Sequence, residues 1–375
     1  MNPRMNAPFP WFGGKRRVAD VVWRAFGNVP NYVEPFAGSL AVLLGRPHEP
    51  KIETVNDVDR YLANFWRAVA GDPDEVARWA DWPVNEADLH ARHRWLVGQA
   101  AFRERMHEDP DFYDPKIAGW WVWGICQWIG GGWCVEPNKH KHRGSEAHWR
   151  KRPVLDGTNG GRGVHSDMAH ASCWAARPQM TGNTPGMGVH SDEAHLKRQI
   201  PRLSCAGQGV HLPSLGNDRG VHGVGAALCT EWFRALQARL RRVRVACGDW
   251  RRVLGPSVLG KGENVGGRRP CAVFLDPPYS HELRDPYLYA EDNPDVASQV
   301  REWALEHGYD PDLRIALCGY QGEHAMPSTW TTHAWKAARG YAAVDNENRE
   351  RERIWFSPHC LPVEEQRSLF GEAAP

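Results

Sequence analysis

The sequence predicts an α/β fold, a doubly wound sheet interrupted by one long insertion. Three observations lead there. Short apolar runs alternate with helical periodicity near both ends of the chain, as they do when helices pack back on a sheet. The run Cys271 to Leu275 is apolar throughout, the mark of a strand covered on both faces. Between the two α/β portions, residues 134–228 are rich in Gly, His, Pro and Arg and poor in apolar periodicity.

Taken in order, Tyr32-Val33 and Ile52 to Val55 read as strands, with a helical stretch from Leu40 to Leu44 between them. From Asp59 the spacing Leu62, Phe65, Trp66, Val69 follows i, i+3, i+4, i+7 and predicts a helix lying on the sheet. Residues 71–133 read as helical and end in an aromatic run from Trp120 to Trp133. Thr230 is expected to cap a helix carrying Trp232, Phe233, Leu236 and Leu240, followed by the alternating strand Val243, Val245, Cys247. A helix around Val296 to Leu305 should stop at Gly308, and further strands are expected near Arg314–Leu317 and Ile354–Phe356. The insertion holds a degenerate repeat, Gly-x-Gly-Val-His at Gly161–His165, Gly186–His190 and Gly207–His211, shortened to Arg-Gly-Val-His at Arg219–His222. Its uneven period excludes a regular solenoid.

Composition narrows the function classes. No apolar run reaches the length of a membrane span, and the N-terminus lacks the apolar core of an export signal. The 9 cysteines include no Cys-x-x-Cys pair, which suits reduced thiols in a cytoplasm. A formal net charge of +1 means that any surface for nucleic acid has to be local.

Four short elements carry chemistry. Trp11-Phe12-Gly13-Gly14-Lys15 offers glycines that let backbone approach a ligand, with a lysine to reach an anion or carbonyl. Glu34-Pro35-Phe36-Ala37-Gly38-Ser39 follows a strand and precedes a helix, where a small-residue turn is expected to present N–H groups to a ligand carboxylate. Asn56-Asp57 ends the next strand, where an acid can accept from ribose hydroxyls or cap a helix. Asp276-Pro277-Pro278-Tyr279 leaves the buried strand at its carboxyl end. Its prolines stiffen the loop, Asp276 and the Pro277 carbonyl make two acceptors for an amine, and Tyr279 offers a face for a base to stack on.

The order of these elements resembles that of the Dam-type family of DNA adenine methylases. The likeness is close over residues 9–70 and 243–280 and loose beyond. It implies a Rossmann-like methyltransferase sheet with an inserted target-recognition region, formed as one catalytic domain from residues 1–70 and 229–375. Residues 71–133 would then begin the recognition region and 134–228 would be an insertion in it. The implied activity is transfer of a methyl group from S-adenosyl-L-methionine to the 6-amino group of an adenine flipped out of double-stranded DNA, by a monomer without a membrane anchor. Carried over residue by residue, Trp11, Gly14, Lys15, Glu34, Pro35, Phe36, Gly38, Asp57, Asp249 and Asp276 would line the cofactor. Asp276, Pro277, Tyr279 and Lys15 would form the transfer site. Ser39 departs from the family's usual Gly or Ala, which bears on cofactor affinity.

Adenine's amino lone pair is delocalised into the ring, so two acceptors for its protons would favour the nucleophilic, pyramidal form. The chemistry asks for no metal, and none is expected; the His165, His170, Cys173 and His190, His195 spacings read as loops. Phosphate contacts are expected at Lys139, Lys141, Arg143, Arg150, Lys151 and Arg152, with a second basic group at Arg239, Arg241, Arg242 and Arg244. Methylation of a cytosine exocyclic amine, or a catalytically silent DNA-binding relative, are the alternatives.

Overall fold

Side-chain alternation along the central strands decides how the layers assemble. In β4 (Cys271–Leu275), Cys271, Val273 and Leu275 join one apolar cluster while Ala272 and Phe274 join another, so the strand is covered on both faces. β5 (Leu313–Tyr320) divides the same way, with Leu313, Ile315 and Leu317 on one side and Ala316 and Cys318 on the other. These observations come from a computed structural model that describes residues 5–11, 14–128, 133–134, 221, 226–261, 270–280, 295–336 and 350–363.

The remaining strands are β1 (Asn31–Glu34), β2 (Ile52–Asp57), β3 (Val243–Cys247), β6 (Thr331–Ala334) and β7 (Glu352–Phe356). They join one sheet in the order β3-β2-β1-β4-β5-β7-β6. β7 runs antiparallel to both β5 and β6, and the other pairs are parallel. From β1 the chain builds outward through β2 to β3, then returns to place β4 on the other flank of β1. The direction of winding therefore reverses between β1 and β4. In open α/β sheets a crevice forms there, beyond the carboxyl ends of the strands. The mostly parallel, doubly wound sheet agrees with the sequence expectation.

The helices follow local rules. α1 (Ala19–Phe26) and α2 (Ala41–Leu44) flank β1 in sequence. α3 (Arg60–Gly71) starts at Asp59, whose carboxylate accepts from the Tyr61 and Leu62 N–H groups. α4 (Pro73–Ala80) and α7 (Pro115–Ile125) each begin with proline behind a capping aspartate, Asp72 and Asp114. α5 (Glu86–Val97) and α6 (Ala100–Glu108) lie between them in sequence. α8 (Ala226–Leu240) precedes β3, and α9 (Val296–His307) buries Val296, Val300 and Ala304 in the cluster behind β4 and β5.

Two local expectations need correction. Thr230 does not cap α8, because the helix already begins at Ala226 and Thr230 lies within it. β6 was not anticipated: Thr331-Thr332-His333-Ala334 is largely exposed at the sheet edge and has no apolar period to betray it. The repeats at 161–165, 186–190 and 207–211 lie outside the described residues.

The tryptophan excess has a structural use in the helices before the insertion. The Arg92 guanidinium lies 5.1, 4.9 and 4.2 Å from the ring centroids of Trp82, Trp120 and Trp123. Lys116 stands 5.1, 4.7 and 4.6 Å from those of Trp79, Trp95 and Trp120. Cations over indole faces are attracted by the ring quadrupole, more strongly when desolvated. Such large rings fit because α7 approaches α4 at a glycine. A Cβ on Gly119 would fall 2.4 Å from the Trp79 Cβ and 2.7 Å from the Val76 carbonyl oxygen.

Gly119→Ala should therefore destabilise the fold by about 1–3 kcal/mol, the usual penalty for overpacking. Urea denaturation checks this; an unchanged midpoint would mean that α4 and α7 can separate freely.

Candidate active site and cofactor cleft

The crevice at the reversal point is built by the end of β2. Asn56 is fully buried, and its side-chain amide donates to the Pro35 carbonyl at 3.0 Å and the Gly248 carbonyl at 2.9 Å. One side chain thus ties the loop after β1 to the loop after β3. The backbone repeats the tie, with Ala37 N–H on the Asn56 carbonyl and Gly248 N–H on the Asp57 carbonyl. The Asp57 carboxylate accepts from Gly38 N–H at 3.0 Å and from Asp59 N–H at 2.9 Å. Burial pushes its pKa up to about 6, against the pull of those N–H groups and that of Val58.

Gly38 has φ +47°, and a Cβ there would sit 2.7 Å from the Trp11 indole nitrogen. Both facts require glycine. Its carbonyl accepts from the Trp66 indole at 3.0 Å, which holds the loop from behind. Phe36 and Trp250 face each other at 6.1 Å between centroids. The cleft holds a cavity of about 290 Å³, and every cofactor-binding candidate from the sequence lines it. Trp250, Phe274, Val296 and Gln299 line it too and were not anticipated. Trp250 stands next to the anticipated Asp249, so an aromatic beside that acid was the available clue.

At the β4 end, Lys15 is 4% exposed and its ammonium lies 2.9 Å from the Asp276 Oδ1. Burial alone would lower the lysine pKa, but Asp276 and then Glu352 outweigh it and hold it above the usual range. Burial raises the Asp276 carboxyl against the opposing pull of Lys15. The Tyr279 hydroxyl donates to the Glu352 Oε2 at 2.7 Å, and its ring meets Tyr320 edge-on at 4.5 Å between centroids. Lys15 also lies 5.3 Å from the Tyr279 ring centre and 5.7 Å from that of Trp335. Glu34, buried and held by the Tyr32 hydroxyl at 2.9 Å, has its carboxyl raised mainly by burial. Pro277 is buried and Pro278 faces the cleft.

Three expectations change. In the turn from Glu34 to Ser39 the Ala37 and Gly38 N–H groups are not ready for a ligand carboxylate, because they bond to the Asn56 carbonyl and the Asp57 carboxylate. The helix cap is Asp59, not Asp57. Arg239 is no phosphate contact: it pairs with buried Glu53 at 2.6 and 2.9 Å and reaches the Leu43 carbonyl. Arg241, Arg242 and Arg244 remain exposed. Lys139, Lys141, Arg143, Arg150, Lys151 and Arg152 lie outside the described residues, as do the spaced histidines. Among the described residues no group of three or more His, Cys, Asp or Glu is arranged to hold a metal ion, and no helix is long and apolar enough to cross a membrane.

The donor set fits S-adenosylmethionine. Carboxylates of Glu34, Asp57, Asp249 and Asp276 suit a cationic ligand that carries hydroxyls, and Phe36 with Trp250 suits a flat ring. No curated protein matches the chain. Residues 11–88, which hold the Lys15 turn, the β1 loop and the β2 end, match the model of the D12 class N6 adenine-specific DNA methyltransferase family, and that match together with the Rossmann-like sheet is consistent with a Dam-type adenine methylase.

Proposed function

We propose that the chain moves a methyl group from S-adenosylmethionine to the 6-amino group of an adenine extruded from double-stranded DNA. The observation that carries this reading is the meeting of Lys15 and Asp276 at the edge of the cleft that the cofactor candidates line. Adenine DNA methylation in general follows from the family, and the match to an N6-adenine family favours adenine over the cytosine amine.

The cofactor, when bound, supplies an electrophilic methyl with its own leaving group. The residues supply the rest. Asp57 would take the ribose hydroxyls, while Phe36 and Trp250 would flank the cofactor's ring. Lys15 holds the Asp276 carboxylate at its Oδ1, and that carboxylate would accept from the target amine, with the Pro277 carbonyl as second acceptor. Tyr279 would replace the stacking that an extruded base loses, at a cost of a few kcal/mol. Lys139, Lys141, Arg143, Arg150, Lys151 and Arg152 are proposed to hold phosphates.

Asp276→Ala should lower the rate of methyl transfer by about 10²–10³-fold or more, the scale of losing one preorganised polar group. Cofactor affinity should change little, because Glu352 still balances Lys15. Equilibrium binding with radiolabelled cofactor checks this; loss of binding by a folded variant would mean that Asp276 acts mainly on the cofactor and not on the amine.

The pKa of about 6 at Asp57 sets a pH dependence. A carboxyl with a raised pKa is protonated below that value, and the protonated form is the weaker acceptor. Cofactor affinity should then fall as pH drops through 6, approaching a limit of about tenfold per unit. Asp57→Asn should bind more weakly at neutral pH and lose this dependence. A flat wild-type profile would exclude the charged carboxylate from binding.

Tyr279→Ala should impair transfer more than Tyr279→Phe, since base–aromatic stacking contributes about 1–3 kcal/mol. A mismatch opposite the target adenine should partly rescue Tyr279→Ala by easing extrusion. Equal damage from both substitutions would assign the role to the hydroxyl instead of the ring.

A further inference from the structure

Lys15, Asp276 and Tyr279 belong to sequence motifs, but a fourth ionisable group in the same cluster does not. Glu352 opens β7, in register with Tyr320 of β5, and its carbonyl accepts from the Trp335 N–H at 3.2 Å. Its side chain is 4% exposed. The inward neighbours on the strand, Ile354 and Phe356, are apolar and sit in the core. An apolar side chain at 352 would continue that face without the penalty of burying a carboxylate. The acid instead takes the Tyr279 hydroxyl at 2.7 Å.

The geometry gives this contact a purpose. A tyrosine hydroxyl lies on the ring axis, so a fixed partner for it sets the direction of that axis. The edge of Tyr320, at 69° to the Tyr279 plane, then sets the rotation about it. The far end of the loop is held separately, by the Glu323 carboxylate on the N–H groups of Ser280 at 2.7 Å and Tyr320 at 2.8 Å. Glu352 also acts on Lys15, whose charge it shares with Asp276.

We propose that Glu352 is a positioning residue for methyl transfer: it fixes the ring plane of Tyr279 and balances part of the Lys15 charge beside Asp276. This rests on reading the Asp276 loop as the amine site.

The test compares Glu352→Gln, which keeps an acceptor for the hydroxyl but removes the charge, with Glu352→Leu, which removes both. Steady-state methylation of adenine-containing duplex DNA is measured against pH, with circular dichroism melting as the check on folding. Glu352→Leu should lower kcat by about 10²-fold, the scale of a misplaced reacting group, with KM for S-adenosylmethionine little changed. Glu352→Gln should lose less. In Glu352→Gln the acid limb of kcat/KM should move to lower pH, because removing a neighbouring negative charge makes Asp276 easier to ionise. The other titratable groups facing this pair are Lys15, Glu34, Tyr279, Cys318, Tyr320 and Glu323, and all stay in place. Combining Tyr279→Phe with Glu352→Leu should cost less than the sum of the two, since both break one hydrogen bond. An active wild type with an unchanged kcat and pH limb in both variants overturns the proposal. So does a loss confined to melting temperature. A folded wild type that binds cofactor but methylates no adenine refutes the proposed reaction, a different result from either.

Discussion

A lysine ammonium buried 2.9 Å from an aspartate is the constraint on which the site depends. Removing such charges from water costs several kcal/mol per ion, and taking away one partner of a buried pair costs about 3–5 kcal/mol. Lys15 precedes the first strand, and Asp276 follows the fourth. The pair can form only if β4 returns to lie beside β1, which is the step that reverses the winding of the sheet. Fold and site are therefore linked by one contact. Placing β4 elsewhere would separate that pair.

The cleft beside this pair follows from a second, uncharged device. Asn56 joins the β1 and β3 loops with the two N–H bonds of its amide, and Asp57 holds Gly38 and Asp59 with its two oxygens. Adjacent residues at a strand end point to opposite sides, so one pair of positions can organise both walls. This modifies the role of Asp57. It shapes the glycine turn as well as facing the cavity, so its substitution would act on loop geometry and on any ligand together.

The central sheet was legible because Cys271 to Leu275 is apolar throughout, Val243, Val245 and Cys247 alternate, and the motifs stand at strand ends. Cys271 to Leu275 and the Leu62, Phe65, Trp66, Val69 spacing each have one plausible reading, and the helix Arg60–Gly71 lies where that spacing puts it. The cofactor candidates came from local motifs, and they share one cavity. Glu352 was not legible. It stands in the charged run Arg349-Glu350-Arg351-Glu352-Arg353, which reads as a solvated surface. Only counting back in twos from Ile354 places it inward, and only the fold brings it to Tyr279. The turn N–H groups were misjudged for a similar reason. Their acceptors, Asn56 and Asp57, lie on the neighbouring strand, and a local turn pattern cannot show that they are already bonded.

On the proposed reading, charge distribution explains how a nearly neutral chain would serve a polyanion. The cleft is lined by Glu34, Asp57, Asp59, Asp249 and Asp276, with Lys15 as the opposing cation. Such a lining attracts a cationic cofactor and repels phosphates. On the proposed reading only a neutral base enters it, and the phosphodiester backbone stays outside, where it needs a basic surface of its own. The sequence offers a basic run for it at 139–152, where six lysines and arginines stand with a single glutamate, Glu146. A net charge of +1 is compatible with local groups of opposite sign. On that reading the extruded base is the only part of the substrate that enters the acidic cleft, and the cation and the polyanion call on different residues of the chain.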